Sequence, residues 1–182
     1  MMIPMVIAST WFLLAPAQQV MAVNAAHVYI EADAAAVVSS AVLPPNIRIS
    51  AAYQPIVLAM LRRSATFRRQ CHRIGRDSRL NVTVGPELLP DRPGSAATTT
   101  IARGSRGDIE ATVRLTGQVE AAELIAHEFE HILEQLDDVD LAAMASRSGT
   151  GVRALSDRGH FETDRAIAAG RRVYSEVAHA RR

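Results

Sequence analysis

His127-Glu128-Phe129-Glu130-His131 sets two imidazoles four positions apart, with a carboxylate beside the first. On an α-helix that spacing leaves the two histidines about 40° apart on one face, able to converge on a single metal ion. Glu128 lies about 100° round from His127, placed to reach a water at the metal rather than the metal itself. The chemistry needs that division. A divalent ion such as zinc acidifies water and polarises a carbonyl, while a neighbouring carboxylate takes the water's proton and passes it to a leaving amine. With 6 His in 182 residues and Glu little commoner, the pattern is expected about 0.01 times by chance. Ile125, Phe129, Ile132 and Leu136 fall on the opposite side, so the spacing predicts an amphipathic helix whose histidine face looks away from the core.

A helix from about Gln118 to Asp138 must carry this motif, and a β region precedes it. Leu80 to Val84 alternates, Thr98 to Ala102 is β-branched, and Ile109 to Leu115 alternates strictly. Arg103 to Asp108 is hairpin material, and the proline-containing Gly85 to Ser95 reads as a loop. Upstream, His27 to Leu43 is helix-tolerant, and Pro55 to Ile74 reads as one helix opened by proline and stopped at Gly75. Downstream, a Ser/Gly-rich stretch, Ser146 to Gly159, leads to a last helix over roughly Phe161 to Ala178. Helices, then strands, then helices predict an α+β fold.

Residues 1–25 stand apart from the single domain expected over 26–182. No charged side chain precedes Glu31, and Ile3 to Leu14 is nearly continuous apolar sequence of the length of a signal-peptide core. Small-residue exits follow at Ala15-Pro16-Ala17, Val20-Met21-Ala22 and Val23-Asn24-Ala25, although a basic leader is missing. The expectation is export to a periplasmic or extracellular space, with membrane anchoring as the alternative if the segment is retained. The rest of the chain is balanced, with 20 basic and 19 acidic residues, 48% hydrophobic content and one cysteine. That composition excludes an acidic disordered chain, a basic nucleic-acid tail, a multi-span membrane protein and an internal disulfide framework. Every basic residue is Arg. Arg62 to Arg79 holds seven of them against one acid, Asp77, while Gly117 to Ser146 holds eight acids and no Arg. Mutual neutralisation of these two segments is the expectation. Without interleaved aromatics, no nucleic-acid partner is expected.

The motif helix after a small sheet resembles the zincin metallopeptidases. The resemblance covers the strands from about Leu80 and the two helices to Ala178. It implies a small antiparallel or mixed sheet, an active-site helix, and a C-terminal helix bearing a further ligand. It also implies Zn²⁺ as the cofactor, His127 and His131 as ligands, Glu128 as general base, and a peptide or protein substrate. The peptide would add as a strand to an edge, Ile109–Leu115 or Thr98–Ala102.

For the third ligand, the metzincin continuation fails: Glu134 stands at the position of its glycine and Asp137 at its last ligand. His160-Phe161-Glu162-Thr163-Asp164, about 30 residues beyond His131, is similar to the gluzincin arrangement, in which a second helix brings a glutamate. Glu162 is the favoured ligand, with Asp164, Asp137 and His160 open. Asp164 or Glu134 is available to orient a ligand histidine. His160, Tyr174 or Arg165 is available to stabilise an oxyanion. The implied activity is hydrolysis of peptide bonds. The competing reading is a non-catalytic zinc-binding scaffold that acts through a partner.

Overall fold

The computed structural model describes residues 5–9, 42–87, 96–156 and 159–180. Along them run β1 (Met5–Ser9), β2 (Ile47–Ile49), α1 (Gln54–Arg63), α2 (Ala65–Arg76), β3 (Leu80–Pro86), β4 (Ala97–Arg103), β5 (Ile109–Leu115), α3 (Ala121–Leu136), α4 (Leu141–Ala145), β6 (Val152–Ser156), β7 (His160–Thr163) and α5 (Asp164–His179). Five strands make one mixed sheet in the order β1-β4-β5-β3-β2. Strands β2, β3 and β5 are parallel, β4 runs antiparallel to β5, and β1 runs antiparallel to β4. Strands β6 and β7 form a separate antiparallel pair. The expected α+β class is what the chain adopts, with a mixed sheet and, among the described residues, five helices.

Strict alternation explains why the sheet has one covered face. Leu80, Val82 and Val84 of β3 are buried, as are Ala97, Thr99 and Ile101 of β4 and Ile109, Ala111, Val113 and Leu115 of β5. Their neighbours Asn81, Thr83, Glu110, Thr112 and Arg114 remain exposed or half-buried. Helix α3 packs against β4 and β5 and carries α5 on its other side, with α2 alongside. It therefore lies inside the molecule and not at its surface, and 11 of its residues are buried. Phe129 stacks on Phe67 of α2 with ring centroids 5.4 Å apart.

Gly170 lets α5 approach α3 closely. A Cβ there would lie 2.9 Å from the Glu123 carbonyl oxygen and 3.2 Å from the His127 Cβ. Tyr53 donates its hydroxyl hydrogen toward the carbonyls of Leu115 and Gly117, at 3.2 and 3.3 Å, tying α1 to the connection that leads into α3.

Several expectations change. Pro55–Ile74 is two helices, broken at Ser64, whose extended backbone starts α2 and whose hydroxyl accepts from the Phe67 N–H. The Glu176 carboxylate accepts from Ser64 Oγ at 2.5 Å, Thr66 N at 3.1 Å and Thr66 Oγ1 at 2.8 Å, so α5 fastens the break. Part of the stretch 146–159 is strand β6, and the last helix begins at Asp164 because Phe161–Thr163 belong to β7. Neither expected edge is one among the described residues: β4 and β3 flank Ile109–Leu115, and β1 and β5 flank the strand that holds Thr98–Ala102. The predicted helix over His27–Leu43 lies, apart from its last two residues, outside the described residues. So does the 1–25 segment, apart from Met5–Ser9 in β1. Among the described residues no helix is long and apolar enough to cross a membrane. Burial pushes the Cys71 thiol up to about 12, consistent with its place in the core cluster.

Candidate metal centre

Helix α3 presents His127 and His131 one turn apart, and β7 brings Glu162 to them. Their ligand atoms all lie within 4.8 Å of one another, and all three residues are buried, so the group could hold a metal ion. The two Nε2 atoms are 3.1 Å apart. Glu162 Oε1 lies 3.2 Å from His127 Nε2 and 3.8 Å from His131 Nε2. Both histidines are 0% exposed, as is Glu128. The expectation that the histidine face looks away from the core is therefore overturned. Phe129 of the apolar stripe does pack inward, on Phe67 of α2, but α5 comes over His127 at Gly170 and β7 brings Glu162 to the histidines as well.

Glu134, one of the two acids the sequence offered to orient a ligand histidine, lies against His131. Its Oε2 sits 2.8 Å from His131 Nδ1, and its Oε1 accepts from the Thr163 hydroxyl at 2.6 Å. A carboxylate only accepts, so the shared proton belongs to His131 Nδ1 and the lone pair is left on Nε2, the atom facing His127 and Glu162. Burial by itself would make His131 a weaker base. The Glu134 hydrogen bond and the charges of Glu128, Glu134 and Glu162 outweigh that and raise its pKa. For Glu162 the balance runs the other way. Burial raises it, but the two histidines and the Thr163 N–H bring it below the ordinary carboxylate value. That N–H donates to Glu162 Oε1 at 2.9 Å, fixing the carboxylate's direction.

Glu128 points to the other side of the cluster, toward the sheet. The Thr99 hydroxyl of β4 donates to its Oε2 at 2.6 Å. Its Oε1 is buried with no hydrogen-bond partner among the described residues. The site thus has one carboxylate oxygen held and one oxygen available.

The remaining candidates go elsewhere. Asp164 is exposed and pairs with Arg153 at 3.0 Å. Helix α3 ends at Leu136, and Asp137 beyond it bonds to Arg73 and, at 3.0 Å, to Arg165. Arg165 is further engaged by Glu130 at 2.6 Å. Tyr174 lies half exposed on α5. His160 is buried at the start of β7 without belonging to the ligand group. The Arg73–Asp137 pair is one contact of the basic α2 with the acidic end of α3, as the charge pattern predicts.

Thr99 and Thr163 were not singled out by their sequence. Thr99 had a readable signal, a hydroxyl in the core-facing register of β4 between Ala97 and Ile101. Thr163 had the signature of a helix N-cap, and its hydroxyl accepts from the Ala166 N–H at 3.0 Å.

No protein-family model, curated protein or solved structure matches this chain. Its functional reading rests on the geometry above.

Proposed function

We propose that the protein is a zinc-dependent metallopeptidase of zincin type, with His127, His131 and Glu162 holding the metal and Glu128 as general base. One observation carries the reading: a buried two-histidine, one-carboxylate group with a second, half-free carboxylate beside it. Tetrahedral zinc with bonds of about 2.0–2.2 Å needs ligand atoms roughly 3.3–3.5 Å apart. The separations of 3.1, 3.2 and 3.8 Å bracket that distance, each within about 0.3 Å of it. The nitrogen and oxygen donors also suit zinc. Bound zinc supplies Lewis acidity, acidifying water and polarising a carbonyl.

The chain's own groups supply the rest. Glu134 keeps the His131 proton on Nδ1 and so keeps Nε2 available. Thr99 holds Glu128 Oε2, which leaves Oε1 to accept a proton from water and return it to the leaving amine. An extended peptide would pair along β4, the strand that carries Thr99, on the side where β1 lies. The Ile3–Leu14 run supports export, with the activity then acting outside the cytoplasm.

Glu128→Gln keeps the shape of the side chain and its acceptor for Thr99. The expected outcome is one zinc per chain with peptide hydrolysis reduced by roughly 10²–10⁴-fold or more. Undiminished cleavage would sink the mechanism. The second reading, a non-catalytic metal-binding scaffold, is favoured by the complete burial of Glu128. It predicts stable zinc with no turnover of a broad peptide library.

A further inference from the structure

The strand the proposed function needs for substrate is already paired. Met5–Ser9 runs antiparallel along β4 in the register Met5↔Ile101, Val6↔Thr100, Ile7↔Thr99, Ala8↔Thr98 and Ser9↔Ala97. Ile7 therefore lies across the ladder from Thr99, the residue whose hydroxyl holds Glu128. Strand β1 also contacts β7, which carries Glu162. A five-residue segment of the chain thus touches the strand whose Thr99 holds Glu128 and the strand that carries Glu162, in the extended antiparallel form a bound peptide would take. Nothing in β1 is needed to complete the rest of the sheet: β4 keeps β5 as its partner on the other side.

We propose that β1 is a resident, substrate-like occupant of the β4 edge, and that it must leave before another peptide can pair there. For its regulatory meaning this rests on the peptidase reading. Covalent attachment presents a strand to its own edge at an effective concentration of about millimolar, which a micromolar peptide cannot match. Detachment removes that advantage, because a free five-residue strand has only its own weak affinity. The Ile3–Leu14 run that reads as an export signal contains β1, so a processing event that removes the signal would also empty the edge. The ligand class follows from the occupant: an extended peptide of β-branched and small apolar residues running antiparallel to β4.

The test uses the full chain carrying Glu128→Gln, so that no probe is hydrolysed, and a fluorescein-labelled peptide of the sequence Pro4–Trp11. Successive N–H groups of a strand point to opposite sides, so the double change Val6→Pro/Ile7→Pro removes a bond to β4 whichever residue donates. The variant should bind the peptide at least about tenfold tighter by anisotropy, with unchanged circular dichroism. A second chain, with a cleavage site for an added protease placed after Ala17, is cut only once folded. Cutting should release the N-terminal fragment and give the same gain. Capture that is no tighter in either case overturns the proposal, whether or not the chain cleaves peptides. The same two changes made with Glu128 intact should raise peptide hydrolysis in parallel. Tighter capture with no hydrolysis keeps β1 as the occupant of the edge and removes the peptidase reading instead.

Discussion

Helix α3 and strand β7 both deliver candidate metal ligands to one point, and they hold them by different physics. On α3 the separation of His127 and His131 is set by helix geometry, and the helix is clamped between the sheet and α5. On β7 the position of Glu162 comes from tertiary structure alone. The strand has four residues, and in its two-stranded sheet its only partner is β6. It is joined to α3 through the Thr163–Glu134 hydrogen bond. An isolated two-stranded ribbon is marginal in water, so that bond and the burial of all four β7 residues must compensate. One ligand pair is therefore inherent in a helix, whereas the third ligand depends on docking.

The largest effect should come from the ligands themselves. His131→Ala is expected to reduce zinc affinity by more than the roughly 10–100-fold that loss of an outer partner causes, and Glu162→Ala should do the same, read as metal content by mass spectrometry. Loss with His131→Ala but retention with Glu162→Ala would break the comparison by removing β7 from the site. Next, Glu134→Ala should weaken zinc by roughly 10–100-fold without unfolding the chain. Glu134→Gln should cost less, because its amide oxygen still accepts from His131 Nδ1. Competition with a chromogenic chelator measures both.

The docking of α5 on α3 gives the third prediction. Gly170→Ala forces a Cβ to within 2.9 Å of a backbone carbonyl, and overpacking of that kind costs about 1–3 kcal/mol. Thermal denaturation should show the loss, and zinc affinity should fall with it because His127 lies under the same contact. The smallest effect belongs to Glu176, at the far end of α5. Burial alone would raise its pKa, but the hydrogen bonds from Ser64 and Thr66 hold it below the ordinary 4.5. A depressed carboxylate contributes stability above its unfolded value, and that contribution is lost as pH falls through the folded one. Glu176→Gln should therefore cost a few tenths to about 1 kcal/mol at pH 7, the discount reflecting its partial exposure. The difference from the parent should fade toward pH 3 in urea titrations, and zinc affinity at pH 7 should not move.

The same contrast explains what could be read in advance. The strands β3, β4 and β5 were legible because a one-sided sheet writes its register as alternation, Ile109-Ala111-Val113-Leu115 being the clearest case. The histidine pair was legible because its geometry is local. Glu162 was chosen by resemblance, and the structure gives it different support: it sits on a strand before the last helix, not within it. Strand β6 was not legible because Arg153 and Ala154 are both exposed, so Val152–Ser156 carries no alternation of buried and exposed residues, and its strand partner β7 comes later in the chain. The break at Ser64 was missed because the residues on either side keep helical periodicity, and what stops the helix is the Glu176 carboxylate 112 positions away. Burial of the histidine face was invisible because nothing in α3 announces that α5 will cover it.

The Thr163 hydroxyl does two things at once. It donates to Glu134 and accepts from the Ala166 N–H. Glu162 therefore cannot swing away on β7 without uncapping the helix that follows. Opening of the cluster becomes a collective fluctuation and not the rotation of one side chain. The amide of Ala166 is its natural reporter: when β7 undocks, that proton loses its acceptor and meets solvent. Its hydrogen-exchange rate, followed by NMR, would give the frequency of opening directly, even in protein stripped of metal and with no substrate in hand.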